Sequence, residues 1–275
     1  MRARELASGQ NPRVKQARKL RRARQRVALG LFAAEGPHAV EAALDAGAVV
    51  REVFCTQAFL ERHGELAQRL EASAWPVWVV SEAVMDDLAD TEHPQGVVGV
   101  VELPPPAPEP RADEGLLALA LDGVGDPGNV GTALRAAHAA GATVVLGPAC
   151  CDRFNAKAVR ASAGGVFAVV VHETGDLAGL LRRLAAGGAE VLAAEAGAAR
   201  LCWEADLTGP TVVVVGSEAH GLSETVRAAA TERVAMPMPG GAESLNAGVV
   251  AGVLLYEALR QRSARSGAPP VRPAG

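Results

Sequence analysis

Two stretches near the C-terminal end of this chain place short polar groups where the charged and polar atoms of a ligand could be gripped. The run VVVVGSEAHGLS carries a strand of buried character into Gly216, Ser217 and Glu218. The run RVAMPMPGGAESLNAGVVAGVLLYEALRQ ends a second short strand at Met236 and Pro237. It then passes Ser244, Leu245 and Asn246 into a long apolar helix. Two strand ends and a helix start, all rich in Gly, Ser, Asn and Pro, let backbone amides converge on one ligand. Gly216 has no side chain, so a ligand can lie against bare backbone there, and Glu218 adds a carboxylate at the same edge. Ser244 fits an N-cap, which puts Asn246 in the first helical turn.

A third cluster opens a helix upstream. Asn129, Gly131 and Arg135 form the pattern N-x-G-x-x-x-R. Asn129 at a helix N-terminus can cap with its side chain and aim amides at an anion. Arg135 comes six residues on, nearly two turns, and so can point to the same side. The residues just before offer a competing chemistry. Gly123, Gly125 and Gly128 satisfy GxGxxG between a strand and a helix, the fingerprint of a dinucleotide-binding turn. Pro127 inside that turn has no amide to offer a pyrophosphate. The next strand, TVVLGPACC, ends without the acidic residue that would hold a ribose. Both features argue against an NAD-dependent enzyme.

The elements that must position these clusters alternate along the chain. LLALALDG, TVVLG, VFAVVVHE, EVLAAEA and TVVVVGSE read as strands separated by helical segments. Such a pattern makes a mostly parallel sheet with helices on both faces. A helix is expected from Asn129 to Gly141 and another from Ser244 to about Arg262, with Leu254, Leu255, Ala258 and Leu259 on its inner stripe. The segment PPPAPEPRADEG can form neither helix nor central strand. It reads as a stiff linker over residues 104–114, between a domain at 1–103 and another at 115–265. The Pro- and Gly-rich tail, 266–275, reads as frayed.

In the first domain a basic helix is expected over roughly 12–26, and a second on EGPHAVEAALDAG, closed by Gly47. Strand VREVFCT, a helix near 57–72, strand WPVWVVS, a helix capped by Ser81 and strand GVVGVVEL follow. The alternation describes a small α/β layer domain.

Composition bounds the function. With 49% apolar and 21% charged residues the chain is globular. No apolar run reaches the roughly 18 residues of a membrane span, and the basic start lacks an apolar segment after it, so no membrane partner and a cytoplasmic place are expected. Cys55, Cys150, Cys151 and Cys202 show neither CxxC nor zinc-ligand spacing, so no disulfide and no metal are expected. The net charge of −4 argues against a strong nucleic-acid binder. The distribution argues the other way. Residues 1–26 hold ten Lys or Arg, among them Arg13, Lys15, Arg18, Lys19 and Arg22, against the single acid Glu5. Such a block is either a footprint for phosphates or a solvated basic helix.

Taken together, the three polar clusters resemble the motifs of the SpoU/TrmH family, RNA ribose 2′-O-methyltransferases of the knotted SPOUT class. The resemblance covers nearly the whole chain and is strongest over 118–262. It implies a trefoil-knotted α/β catalytic domain, a homodimer with the active site completed across its interface, and S-adenosyl-L-methionine as cofactor. The family's G-x-E-x-x-G falls on Gly216, Glu218 and Gly221, and needs no His at 220, so His220 is read as incidental. Backbone at Gly216, Met236 and Leu245, with Ser217 and Pro237 beside them, is implied to hold the cofactor. Arg135 is implied to be catalytic, with Asn129, Glu218, Ser244 and Asn246 organising it, the ribose and the methionine moiety. The chain departs from the family at Ala247 and Gly248, where Val-Ser is common. A glycine inside a helix costs roughly 1 kcal/mol relative to Ala, which points to close packing, as at a subunit interface.

The run LFAAEGPHAVEAALDAG resembles the opening of the family's L30e-like substrate-binding domain. VRASAGGVF, from Val159, resembles the segment between the first two motifs, where Arg160 either contacts RNA phosphate or holds the turn. A separate N-terminal domain is more usual in the branch that acts on ribosomal RNA, so 23S rRNA is favoured over transfer RNA. Aromatics are only 3%, so base-stacking platforms are not expected, and shape and phosphate contacts fit better. In the implied reaction a ribose hydroxyl attacks a sulfonium methyl and displaces the neutral thioether, which needs positioning and help with one proton. Arginine is the most basic of the side chains and holds its proton far above neutral pH. Orienting the hydroxyl while gripping phosphate is therefore an easier task for Arg135 than acting as a base. A non-catalytic RNA-binding protein of the same fold is the remaining rival, and the intact polar residues of all three motifs argue against it.

Overall fold

A computed structural model describes residues 4–6 and 8–266. Arg2 and the tail beyond Ser266 lie outside the described residues. The chain forms two compact units. The first comprises residues to Pro105 together with Asp152–Ala168, and the second comprises Pro106–Cys151 and the chain from Val169 on. This differs from a division into two continuous stretches, because Asp152–Ala168 packs with the first unit.

The first unit holds β1 (Arg4–Leu6), α1 (Pro12–Lys19), α2 (Ala23–Leu29), β2 (Leu31–Glu35), α3 (Pro37–Asp45) and β3 (Val50–Thr56). These are followed by α4 (Gln57–Arg62), α5 (Gly64–Ala72), β4 (Val77–Val80), α6 (Glu82–Leu88), β5 (Val97–Glu102) and, after the excursion, α8 (Ala156–Ala161) and α9 (Gly165–Ala168). Its five strands run in the order β1-β4-β3-β5-β2, parallel except for β5, which is antiparallel to β3 and β2.

Two helices read as continuous are each broken in two. The basic helix stops at Lys19 because Leu20 turns inward and is 1% exposed, and the backbone at Arg22 is extended. The helix near 57–72 breaks at His63, whose ring stacks on Phe59. The run VFAVVVHE is a strand only over Val171–Glu173. Ser162 Oγ accepts from the Val166 amide and Phe167 bonds back to Gly164, which winds the preceding residues into a helical turn. Phe154 and Phe167 pack on Phe32.

The second unit holds β6 (Leu117–Asp122), α7 (Pro127–Ala140), β7 (Thr143–Leu146), β8 (Val171–Glu173), α10 (Leu177–Ala186) and β9 (Glu190–Ala194). It continues with β10 (Arg200–Leu201), β11 (Thr211–Gly216), α11 (Glu224–Arg227), β12 (Glu232–Ala235) and α12 (Ala247–Ser266). All seven strands are parallel, in the order β10-β12-β9-β11-β6-β7-β8. Helices cover both faces, which is why β6 and β11 read as unbroken apolar runs rather than alternating ones. Every residue of β6 is buried. The proline-rich segment is tied to this unit: Ala107 O bonds the His172 ring at 3.0 Å, and Glu109 forms a two-pronged pair with Arg183.

Two helix starts differ from expectation. The N-cap of α7 is Asp126, whose Oδ1 accepts from the Asn129 amide at 3.0 Å, so Asn129 lies inside the first turn. Asn246, not Ser244, caps α12. Its Oδ1 accepts from the amides of Gly248 at 3.0 Å and Val249 at 3.3 Å. Aspartate and asparagine outrank serine only slightly as caps, so Ser244 was a reasonable cap by type, but it stays in the preceding loop. Among the described residues no helix is long and apolar enough to cross a membrane. The four cysteines are free thiols, and no group of metal-ligating side chains is found among the described residues.

Candidate active site

The site forms where β11 ends. An added Cβ on Gly216 would lie 2.3 Å from the carbonyl carbon of Gly221, so no other residue fits without moving backbone. The chain then turns tightly. Ser217 and Gly221 exchange backbone hydrogen bonds at 3.1 and 2.8 Å, and Ser217 Oγ accepts from the His220 amide at 3.1 Å. The turn holds Glu218 just beyond the C-terminal end of β11.

Three side chains from distant parts of the chain meet there. Asn246 Nδ2 donates to Glu218 Oε1 at 2.9 Å and to Asn129 Oδ1 at 2.6 Å. The Ala247 amide also donates to Glu218 Oε1, at 3.2 Å. Asn246 thus has both amide hydrogens and its oxygen engaged, which fixes its orientation. Asn129 is 7% exposed and, among the described residues, accepts through Oδ1 while its own Nδ2 makes no hydrogen bond. One donor group and the second oxygen of Glu218 are therefore left to face a ligand.

A cavity of about 490 Å³ lies against this cluster. Its walls come from the ends of β9, β11 and β12, from the loop before α12, and from α12 itself. Gly216, Ser217, Glu218, Met236, Ser244 and Leu245 all line it, whereas Pro237 does not. Sequence reasoning missed Glu195, Met238 and Glu243, which line it too. Glu195 follows a strand that was recognised, so its place at a strand's C-terminal end was the available signal.

The lining fits S-adenosyl-L-methionine on chemical grounds. Val215, Val234, Met236, Met238, Leu245 and Val250 offer apolar surface for an adenine, Gly216 offers bare backbone, and the charged lining side chains are all carboxylates. Such walls favour a ligand carrying net positive charge.

Arg135 stands apart from the cluster. It is exposed and forms no hydrogen bond or ion pair among the described residues. Six residues at 100° per residue put it about 120° around α7 from Asn129 and roughly 9 Å along the axis. The two side chains therefore do not point to the same side. Gly248 has a local explanation: a Cβ there would lie 2.7 Å from Thr132 Cβ, so α12 and α7 pack at backbone distance.

The dinucleotide reading fails in the same region. Asp126 occupies the helix N-terminus after Gly123 and Gly125, and its carboxylate takes the amide that a pyrophosphate would need.

In the first unit the expected RNA-facing residues divide. Arg13 pairs with Glu52 at 2.9 Å and lies over Trp78, and Arg18 pairs with Asp87 at 2.7 Å. Arg160 is held by Glu35 at 3.0 Å and Asp90 at 3.3 Å. Lys15, Lys19 and Arg22 are exposed and have no such partner among the described residues. Arg26, absent from the expected set, is 3% exposed and pairs with Asp152 at 2.5 Å.

Residues 116–256 match the SpoU rRNA Methylase family and residues 11–99 match the MRM3-like substrate binding domain. An uncharacterized tRNA/rRNA methyltransferase of Synechocystis sp. is 36% identical over 264 residues, 95% of each chain. The 23S rRNA (guanosine(2553)-2′-O)-methyltransferase RlmP of Bacillus subtilis is 30% identical over 92% of this chain and 98% of its own. The AdoMet-bound rRNA methyltransferase structure from Sinorhizobium meliloti superposes with a TM-score of 0.81, at 32% identity, over 94% of this chain and 98% of that one. The chain belongs to the SpoU family, and is an RNA ribose 2′-O-methyltransferase that uses S-adenosyl-L-methionine.

Proposed function

We propose that this enzyme methylates the ribose 2′-hydroxyl of a guanosine in 23S rRNA, acting in the cytoplasm as a homodimer. The observation that carries the catalytic part is the Asn129–Asn246–Glu218 cluster, whose Glu218 lines the cavity. The rRNA target is supported by the relative RlmP, which aligns over both units. Transfer RNA is the second reading, because the Synechocystis relative is named for either substrate.

When bound, the cofactor supplies an electrophilic methyl on a sulfonium and leaves as a neutral thioether. The residues of the chain do the rest. Asn246 is locked by its own helix and by Glu218, and so presents Asn129 in one orientation. The Asn129 Nδ2 group can donate to a ribose oxygen at the mouth of the cavity. Arg135, exposed on α7, grips the adjoining phosphate with its planar fork of donors and orients the 2′-hydroxyl. As the 2′-oxygen takes the methyl group, its proton leaves to solvent water at the open edge of the site.

Because Arg135 points away from the cluster of its own chain, it serves the cluster of a second copy. The outer face of α12 carries Val249, Val253 and Tyr256, which are 45%, 44% and 55% exposed and follow helical spacing. This apolar stripe lies beside α7 and is the proposed subunit interface.

The test is to incubate the protein with tritiated S-adenosyl-L-methionine and unmodified 23S rRNA, 16S rRNA or bulk transfer RNA, with Arg135→Ala as control. Label in 23S rRNA alone, lost in the variant, is expected. Label in transfer RNA alone would replace the target. No label in any pool, despite cofactor binding, would overturn the proposed substrates.

A further inference from the structure

Three carboxylates line the cofactor cavity, and one of them has no part in the cluster and does not sit on the exposed loop. Glu218 is tied to Asn246, and Glu243 lies on the exposed loop before α12. Glu195 directly follows β9, and its amide donates to Val234 O at 3.0 Å, which fixes its backbone beside β12. Its side chain is 26% exposed and sits between two arginines. Oε1 lies 2.9 Å from Arg227 Nε, and Oε2 lies 3.6 Å from Arg233 Nη1. The buried Arg227 N–H does not point along that line, so the contact is one of charge rather than a straight hydrogen bond. An ionised carboxylate has about four acceptor positions, so Glu195 is held in place and still has lone pairs to offer.

We infer that Glu195 accepts hydrogen bonds from the vicinal hydroxyls of the cofactor's adenosine ribose. The inference rests on the cavity being the cofactor's. Charge decides which part of the cofactor Glu195 meets. Arg227 and Arg233 offset the charge of Glu195, so it draws an ammonium less strongly than Glu218 or Glu243 does and suits a neutral donor. The ribose diol is a neutral pair of donors spaced for the two oxygens of a carboxylate. Position agrees. The methyl end is set by Glu218 and Asn246 at the β11 and α12 side, and the apolar walls of Val215, Val234 and Met236 suit the adenine. The ribose joins those two parts, and a carboxylate just beyond a parallel strand's C-terminal end is well placed to receive it.

The experiment is calorimetry with S-adenosylhomocysteine, 5′-methylthioadenosine and the 2′-deoxy form of S-adenosylhomocysteine. The first has ribose and ammonium, the second ribose without ammonium, and the third lacks one hydroxyl. Glu195→Ala should weaken S-adenosylhomocysteine and 5′-methylthioadenosine alike, by about 10- to 100-fold, as expected for hydrogen bonds to a charged group. Loss of the 2′-hydroxyl should weaken binding to the native protein about 10-fold and make no difference to Glu195→Ala. Loss of S-adenosylhomocysteine affinity with 5′-methylthioadenosine spared would move Glu195 to the ammonium and overturn the inference. So would a variant that still prefers the 2′-hydroxyl. If Glu195→Ala does not fold, Glu195→Gln keeps the shape and one acceptor oxygen, and should show a partial loss of the same preference. Native protein that binds none of the three ligands would instead remove the cofactor assignment of this cavity.

Discussion

Asn129 and Asn246 stand 117 positions apart in the chain and share a hydrogen bond of 2.6 Å. Each lies in the first turn or at the cap of its helix, and the two helices pack so closely that a Cβ on Gly248 would lie 2.7 Å from the Thr132 side chain. Through Asn246, which also donates to Glu218, the bond joins helix packing to the cavity wall. A cap, a tight helix pair and a polar cluster are one construction here.

Replacing Asn129 by Ala separates the cluster from the fold. The cap of α7 is Asp126, so the helix keeps its start. Asn246 keeps its capping oxygen and its bond to Glu218. The expected result is a loss of about 1–2 kcal/mol in stability from one missing hydrogen bond, with methyl transfer down about 10²-fold. Asn246→Ala, which also removes the cap, should cost about 1 kcal/mol more. Thermal unfolding and single-turnover methylation measure the two effects, and equal losses of activity and stability in both variants would contradict the separation.

Much of this was legible in the sequence, and particular residues show where legibility stopped. The strand ends at Gly216 and Met236 stood out because buried parallel strands are unbroken apolar runs followed by Gly, Ser or Pro. Asn246 was recognised by type, yet the cap was placed two residues early, because Ser and Asn are nearly equal as caps and only three-dimensional partners choose between them. Glu195 escaped notice because no local pattern marks a carboxylate whose partners, Arg227 and Arg233, are more than thirty positions away. The pairing of Arg13 with Glu52 and of Arg26 with Asp152 was invisible for the same reason: a block of charge in sequence does not reveal which members are neutralised on folding.

Gly248→Ala should destabilise the protein, against the helix-propensity trend. Alanine would gain about 1 kcal/mol in an unconstrained helix. Here its Cβ would meet Thr132 Cβ and Cγ2 at 2.7 Å, and overpacking typically costs about 1–3 kcal/mol. Adding Thr132→Ala removes one of the two offending atoms and should restore part of the loss. Chemical denaturation of the three variants checks the sign, and a stabilised Gly248→Ala would mean that the helices have room to part.

The basic N-terminal helices should divide into binding and structural members. Lys15, Lys19 and Arg22 are exposed and make no ion pair among the described residues. Replacing all three by Gln should leave unfolding unchanged, weaken RNA binding, and lower the slope of log affinity against log salt by about 2–3, since each phosphate contact contributes about 0.7–0.9. Arg26→Ala should act the other way. It removes a buried guanidinium that holds the half-buried Asp152 and the carbonyls of Leu20 and Arg21, and losing these hydrogen bonds should cost about 1–3 kcal/mol in stability.

Cys55 gives a pH prediction. Burial pushes its thiol up to about 12, from 9.0 in the open chain. The folded state therefore holds this proton more tightly than the unfolded state. Its contribution to stability is intact below pH 9 and is lost as pH rises toward about 12. Cys55 should resist iodoacetamide at pH 8 in the native protein and react once unfolded. Mass-spectrometric mapping of labelled cysteines checks this, and rapid native labelling at Cys55 would show that its surroundings open.

Arg135 offers the sharpest test of the proposed dimer. It is exposed and has no hydrogen bond or ion pair to lose among the described residues, so Arg135→Ala should unfold at the native temperature and bind S-adenosylhomocysteine normally while failing to transfer methyl groups. Asn129→Ala damages the other half of the proposed composite site. If each site takes its cluster from one copy and Arg135 from the other, mixing the two inactive variants by unfolding and refolding should restore activity. In a random mixture half of the molecules are heterodimers, each with one intact site and one doubly damaged site, so about one quarter of native activity should return. Tyr256→Asp, which puts a charge into the exposed stripe of α12, should yield monomers inactive despite an intact cluster. Restored activity at that level establishes a shared site. No recovery, with heterodimers present by native mass spectrometry, would return Arg135 to the cluster of its own chain and require α7 to rotate or the RNA to bridge the gap.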